Sequence, residues 1–180
     1  MRRALKFAGR ALATFVLVLG AGILLAGVLV PRIAGATPYT VLTGSMSPTY
    51  PAGTLVVTRP VDAESLSLGD VVTYQIKSGV ETVTTHRIVA LEYTVAGERR
   101  FVTQGDANDS PDIAQVQPAQ IRGKVWYAIP YLGRVSLLFD GGQRQWATTA
   151  IAVGLASFAG WQVLVWRREM KPGGSPNRRH

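Results

Sequence analysis

An uncharged apolar stretch, Ala11–Val30, decides the architecture of this chain: ALATFVLVLGAGILLAGVLV. As a helix, its twenty residues would span about 30 Å, the thickness of the hydrocarbon core of a bilayer. A second run, Ala147–Trp166, has the same length but contains four polar residues. Apolar side chains surround both runs on every side, as lipid or a buried core requires. The sequence therefore predicts two transmembrane helices, residues 11–30 and 147–166.

Each run also has an alternative interpretation. Ala34-Gly35-Ala36 fits the cleavage pattern of a secretory signal peptide, and basic residues precede the first run. Against cleavage, the apolar stretch is longer than the h-region of such peptides, and Pro31-Arg32 separates it from the site. The second run could be a buried core helix, although the Arg167-Arg168 pair at its end is typical of a membrane boundary.

The formal net charge of +8 lies entirely in the two tails. Residues 1–10 and 167–180 are each strongly basic, whereas positive and negative residues balance between them. Basic residues next to a membrane span favour the cytoplasmic side. We therefore expect a multi-pass protein of the cell membrane with cytoplasmic tails at 1–10 and 167–180 and an extracytoplasmic domain at 31–146. The balanced charge of that domain argues against a nucleic-acid partner.

Short segments rich in β-branched and aromatic residues alternate with Gly, Pro and Asp turns between the two runs. The predicted strands are Tyr39–Thr43, Thr54–Thr58, Val71–Ile76, Thr82–Val95, Arg99–Thr103 and Lys124–Ile129. No segment keeps a helical period for three turns. The predicted fold is therefore mainly β: a small antiparallel, barrel-like or two-sheet domain between an N-terminal and a C-terminal transmembrane helix.

Few side chains of this domain could carry chemistry. The chain has no cysteine, which excludes disulfides, a thiol nucleophile and cysteine-ligated metals. The only histidine of the domain is His86, so a neutral-pH imidazole base would have to be this residue; the alternative is a structural strand histidine. Ser45 follows a glycine and precedes Pro48, which indicates either an exposed nucleophile or an ordinary turn.

An acidic loop, QGDANDSPD at residues 104–112, offers three interpretations. Its aspartates could orient a histidine, as the third member of a Ser–His–Asp arrangement does. They could bind calcium, although the spacing and the glutamate of an EF-hand loop are missing. They could also cap their own backbone as Asx turns. Nothing else in the sequence suggests a metal or an organic cofactor.

Four motifs together resemble the type I signal peptidases. In order, they are Ser45-Met46-x-Pro48-Thr49, Gly69-Asp70-Val71-Val72, Thr85-His86-Arg87-Ile88-Val89 and Gly105-Asp106-x-Asn108-x-x-x-Asp112. The resemblance extends from about Tyr39 to Gly133. The common bacterial branch has a lysine base where this chain has His86. With a histidine at this position, the chain is similar to the endoplasmic-reticulum and archaeal branch, which also occurs in some Gram-positive bacteria.

The resemblance implies a role for each matching residue. Ser45 would be the nucleophile, His86 the general base and Asp112 the third member, with Asp106 as a second support or loop organiser. The Ser45 N–H and the Thr43 hydroxyl would form the oxyanion hole. A rival base, Lys77, would imply a Ser–Lys dyad, but it lies in a turn beside Ser78-Gly79.

The implied activity is that of a membrane-bound serine endopeptidase, which removes N-terminal signal peptides from exported preproteins after small residues at −1 and −3. Its partners would be the signal peptides of preproteins and the lipid bilayer. Whether it also needs partner subunits stays open. Two other functions remain: a non-catalytic two-anchor β module that binds or assembles other proteins, and a serine protease that cleaves itself for regulation. Ala34-Gly35-Ala36 would be the site for self-cleavage.

Overall fold

A computed structural model describes residues 2–137 and 141–170 of the chain. These residues form two compact units. The helical unit consists of residues 2–24 and 141–170, and the β unit consists of residues 25–137. The elements, in chain order, are α1 (Arg2–Leu24), a π-helical turn (Leu25–Leu29), α2 (Val30–Ile33), β1 (Thr37–Thr40), β2 (Leu55–Arg59), β3 (Val71–Gln75), β4 (Val83–Tyr93), β5 (Arg99–Gln104), β6 (Ile121–Ile129), α3 (Leu132–Leu137) and α4 (Gly141–Met170). Three short 3₁₀ turns, Gly44–Met46, Ala63–Ser65 and Pro118–Gln120, join them.

Two helices are long and apolar enough to cross a membrane. They are Phe7–Ile33, with a mean hydropathy of 2.6, and Trp146–Arg167, with a mean hydropathy of 1.5. Between Trp146 and Arg167, no side chain that the structure describes is buried, which disagrees with a buried core helix. Within the helical unit, Leu155 packs against Gly20. The two helices fit a membrane protein, as the apolar runs predict.

The β unit contains one six-stranded sheet with the order β1-β2-β6-β3-β4-β5. Every neighbouring pair is antiparallel. The expectation of two sheets is therefore wrong. In the part of the chain that the structure describes, β1 and β5 are the sheet edges, so hydrogen bonding does not close a barrel. More of the described residues lie in helices than in strands, because the two long apolar segments are helical. "Mainly β" describes the sheet unit and not the whole chain.

All six predicted strands occur, with shifted ends. The first strand begins and ends earlier than predicted, since the chain leaves the sheet for the turn at Gly44–Met46. The last strand begins earlier, at Ile121, because Gly123 lets the ladder continue past an irregularity. A Cβ at Gly123, where φ is +150°, would lie 2.2 Å from the Arg59 carbonyl oxygen. Only glycine permits this close approach.

The hydrophobic core lies on one face of β3, β4 and β5. Its buried members are Leu66, Val72, Tyr74, Ile88, Phe101 and Val116. Because side chains alternate between the two faces of a strand, Tyr74 and His86 share this face: Val72 is paired with His86, and Tyr74 lies two residues further along β3. Thr103 is paired with Ile88 on the same face. This part of the sheet therefore brings polar groups from three strands to the edge of the core.

Candidate active site

Ser45 lies in the 3₁₀ turn that follows β1. The next residue, Met46, is fully buried and anchors the turn, while Ser45 itself is half-buried. The Ser45 carbonyl accepts a hydrogen bond from the Ala107 N–H at 2.8 Å. This turn is thus held both by packing and by the loop that follows β5. The Ser45 hydroxyl remains accessible on the surface of the β unit.

His86 lies between a hydroxyl and a carboxylate. Its Nε2 atom is 3.2 Å from the Ser45 Oγ atom, and its Nδ1 atom is 2.6 Å from the Asp112 Oδ2 atom. An ionised carboxylate only accepts hydrogen bonds, so Nδ1 carries the proton and Nε2 presents its lone pair to the serine hydroxyl. The His86 side chain is 9% exposed. This geometry suits proton transfer from Ser45 to His86.

Within residues 2–137 and 141–170, the side-chain donors that contact the Asp112 carboxylate all reach one oxygen. Its Oδ2 atom also accepts from the Thr103 hydroxyl at 2.6 Å and the Tyr74 hydroxyl at 3.0 Å. Burial acts to raise the pKa of Asp112, but the hydrogen bonds from Thr103 and His86, with smaller contributions from charge and from Tyr74, outweigh it and lower this pKa. Asp112 is therefore ionised at neutral pH. Burial, together with the charge of Asp112, raises the pKa of Tyr74.

Asp106 lies outside this chain of hydrogen bonds. Its two oxygens accept from Arg87 Nε at 2.8 Å and Arg87 Nη2 at 2.7 Å. The hydrogen bond from Arg87 lowers the pKa of Asp106, and one from Thr49 acts in the same direction. Arg87 Nη1 also donates to the Gly69 carbonyl at 2.8 Å. Of the two roles that the resemblance leaves to Asp106, this placement fits the organiser of a loop.

Gly105 allows the loop after β5 to approach the serine turn. A Cβ at this position would lie 2.6 Å from the Ser45 carbonyl oxygen and 2.9 Å from the Asn108 Nδ2 atom. Any side chain would therefore displace the backbone of Ser45. The sequence motif requires a glycine here for a steric reason.

Two further candidate residues, Thr43 and Lys77, differ in their position relative to the site. The Thr43 Oγ1 atom is 3.2 Å from the Ser45 Oγ atom, so the two hydroxyls lie side by side. Lys77, the rival base, is exposed beyond the end of β3. Lys77 lies five residues after Val72, which is the ladder partner of His86, and two residues after the end of β3.

Sequence reasoning missed Tyr74 and Thr103. Both are typical strand formers, so neither differs in the sequence from its structural neighbours. Arg87 was part of a quoted motif but had no assigned role. Its position is a usable signal, since Arg87 lies between the two buried residues of β4, His86 and Ile88, and a charged side chain there needs a partner.

An open cavity of about 760 Å³ adjoins the Asp112 side of His86. Tyr74, His86 and Asp112 line it together with Asp109 and Ile113 of the loop after β5. The polar groups of the candidate site are therefore reachable from solvent.

Part of the chain is similar in sequence to known proteins. No protein-family model matches the chain. It is 35% identical over 96 residues to Signal peptidase I W of Bacillus subtilis (strain 168), an alignment that covers 52% of this chain and 48% of that protein. It is 24% identical over 107 residues to Signal peptidase complex catalytic subunit SEC11C of Homo sapiens and of Mus musculus, over 56% of this chain and 55% of each relative. Over about half of its length, the chain is therefore similar in sequence to type I signal peptidases.

The chain spans about half the length of the curated relatives it matches. Both of these relatives are peptidases or peptidase subunits by name.

Proposed function

We propose that this chain is a membrane-bound serine endopeptidase that cleaves N-terminal signal peptides from exported preproteins. The observation that carries the proposal is the continuous chain of contacts from the Ser45 Oγ atom through the His86 ring to Asp112, with distances of 3.2 Å and 2.6 Å. A serine hydroxyl is a weak nucleophile until a base removes its proton. His86 is in place to do so, and this supports its role as the general base.

In the proposed mechanism, Ser45 attacks the scissile carbonyl as His86 Nε2 takes the hydroxyl proton. His86 then gives this proton to the leaving amine, and an acyl-enzyme on Ser45 remains. A water molecule, activated by the same imidazole, hydrolyses the ester. Asp112 stays ionised throughout and stabilises the imidazolium. The Thr43 hydroxyl and the Ser45 N–H donate to the oxyanion, where charge develops.

The substrate would be a preprotein whose apolar segment is still in the membrane. Two membrane helices in the peptidase would hold both reactants at one surface, which raises their effective concentration without further contacts. Cleavage after small residues at −1 and −3 is part of the same proposal. It rests on the resemblance of the sequence motifs, while the names of the relatives support only signal-peptide cleavage.

The proposed orientation places the segment 31–146 outside the cell membrane and both basic tails in the cytoplasm. The charge of the tails supports it, because basic residues close to membrane ends are retained inside. The human relative is named as the catalytic subunit of a complex, so further subunits are a question for purification of the chain from membranes.

The test is cleavage of a labelled preprotein by the purified full-length chain in detergent. Ser45→Ala and His86→Ala should lose processing, while the neighbouring Ser47→Ala and the rival-base variant Lys77→Ala should retain it. N-terminal sequencing of the mature product checks the cleavage site. Processing that persists in Ser45→Ala and His86→Ala would contradict the mechanism, and loss in Lys77→Ala would favour a lysine base.

A further inference from the structure

Three adjacent strands deliver hydrogen-bond donors to one oxygen atom. The Asp112 Oδ2 atom accepts from Tyr74 on β3, from His86 on β4 and from Thr103 on β5, at 3.0, 2.6 and 2.6 Å. Thr103 is fully buried and Tyr74 is 7% exposed. The Asp112 N–H also donates to the Thr103 carbonyl at 2.7 Å. Thr103 therefore holds both the backbone and the carboxylate of Asp112.

The direction of the two hydroxyl protons follows from the charge of Asp112. The Tyr74 and Thr103 hydroxyl oxygens are 3.1 Å apart, so each could in principle donate to the other. An ionised carboxylate is a stronger acceptor than a hydroxyl. Both protons therefore point to Asp112, and the pair acts as two donors on one charged oxygen.

The packing of the sheet does not by itself require the Tyr74 and Thr103 hydroxyls. Phe in place of Tyr74 would keep the ring in the core, and Val in place of Thr103 would keep the branched shape of the strand residue. In the part of the chain that the structure describes, the side-chain hydrogen bonds of both hydroxyls go only to each other and to Asp112. Their common function is thus directed at this carboxylate.

We propose that Tyr74 and Thr103 are positioning residues that fix Asp112 against His86 and spread its negative charge, and so set the pH range in which His86 works as a base. The inference rests on the proposed function for the reaction itself. Neither residue touches the substrate in this scheme. Both act through Asp112.

The proposal predicts the sign of the effect. Loss of either hydroxyl leaves more negative charge on the side of Asp112 that faces His86, and a nearby negative charge favours the protonated imidazole. A higher pH is then needed to produce the neutral base. The acid limb of kcat/KM should move upward by about 0.5 pH unit in Tyr74→Phe and in Thr103→Val, and further in the double variant.

Matched controls separate this effect from loss of stability. Thr73→Val removes a buried hydroxyl from the same strand, one that bonds Thr58 and Thr85 instead of Asp112. It should lower the melting temperature and leave the acid limb in place. Thr103→Ser keeps a hydroxyl and should restore the wild-type profile.

A second readout does not depend on cleavage. The chain contains two histidines, His86 and His180, so in a His180→Gln background the ring resonances of His86 can be followed by NMR in detergent. Their pH midpoint should move upward in Tyr74→Phe and Thr103→Val. If the wild type cleaves no preprotein, the proposed function fails while this titration still tests the positioning role.

An acid limb and a ring midpoint in the double variant that coincide with the wild type would overturn the proposal. A shift to lower pH would overturn it too. An equal upward shift in Thr73→Val would assign the effect to general loosening of the sheet.

Discussion

At the scale of single residues, the site depends on which nitrogen of His86 carries a proton. The contact of 2.6 Å to Asp112 fixes that proton on Nδ1 and leaves Nε2 free to accept from Ser45. Thr43 completes the residue-level arrangement, since its hydroxyl lies 3.2 Å from the Ser45 Oγ atom. A donor at this position is useful only when negative charge develops beside it.

Thr43→Val tests this donor, because valine keeps the shape of the side chain and removes the hydroxyl. We expect kcat for preprotein cleavage to fall by about 10²–10³-fold, as for other oxyanion donors, with little change in KM. Thr43→Ser should recover most of the activity. A valine variant with wild-type kcat would remove Thr43 from the oxyanion hole.

Single residues also show what the sequence could not provide. His86 was identifiable because the domain has no other histidine. The choice between Asp106 and Asp112 was not, because it depends on how the loop returns to the sheet. The hydrogen bond from the Asp112 N–H to the Thr103 carbonyl turns the carboxylate toward His86, and no local pattern encodes this long-range contact.

At the scale of elements, the loop after β5 connects the strand that carries His86 to the turn that carries Ser45. Asp106 is bound to Arg87, the neighbour of His86 on β4, and Ala107 donates to the Ser45 carbonyl. The ion pair therefore links the serine turn to β4. In this ion pair, the Arg87 side chain is 33% exposed and the Asp106 side chain is 12% exposed.

The Asp106 ion pair makes stability depend on pH. The folded-state pKa of Asp106 lies below its ordinary value of 3.8, chiefly because of the hydrogen bond from Arg87. Its contribution to stability is therefore complete above that value and is lost as the pH falls through it and below. Asp106→Asn should be less stable by about 2 kcal/mol at pH 7, and this difference should shrink toward pH 3.

Thermal unfolding in detergent between pH 7 and pH 3 measures the effect of Asp106→Asn. Asp109→Asn, on an exposed part of the same loop, is the control and should change stability little at either pH. A difference for Asp106→Asn that is the same at pH 7 and at pH 3 would show that the ion pair is not its cause.

The positions of the strands in the sequence were predictable, but their order in the sheet was not. Alternating β-branched residues and Gly or Pro turns locate all six, since these are local preferences. The sheet order, which inserts β6 between β2 and β3, depends on long-range packing. So does the irregularity at Gly123, where the Arg59 carbonyl approaches.

At the scale of the whole molecule, charge and hydropathy divide the chain into parts with different surroundings. The net charge of +8 lies in the tails next to two apolar helices, and the sheet unit between them is balanced. We infer from this pattern that the charge orients the protein in the membrane. The proposed active site would then face the side where exported preproteins emerge.

The absence of cysteine from the chain makes its orientation easy to test. A Val95→Cys variant carries its thiol on a fully exposed residue between β4 and β5. It should react with a membrane-impermeant maleimide on intact cells. Ala4→Cys, in the N-terminal tail, should react only after permeabilisation. The reverse pattern would contradict the proposed orientation.

The cleavage rate of purified Ser45→Ala, compared with that of Ser47→Ala on the same labelled preprotein, decides whether Ser45 is the nucleophile. Each variant removes one hydroxyl from the same short segment, Ser45 within the turn and Ser47 directly after it, so their folding should be alike. We expect Ser47→Ala to cleave near the wild-type rate and Ser45→Ala to lose at least about 10⁴-fold in kcat. Comparable rates for the two variants would contradict the Ser45–His86–Asp112 mechanism.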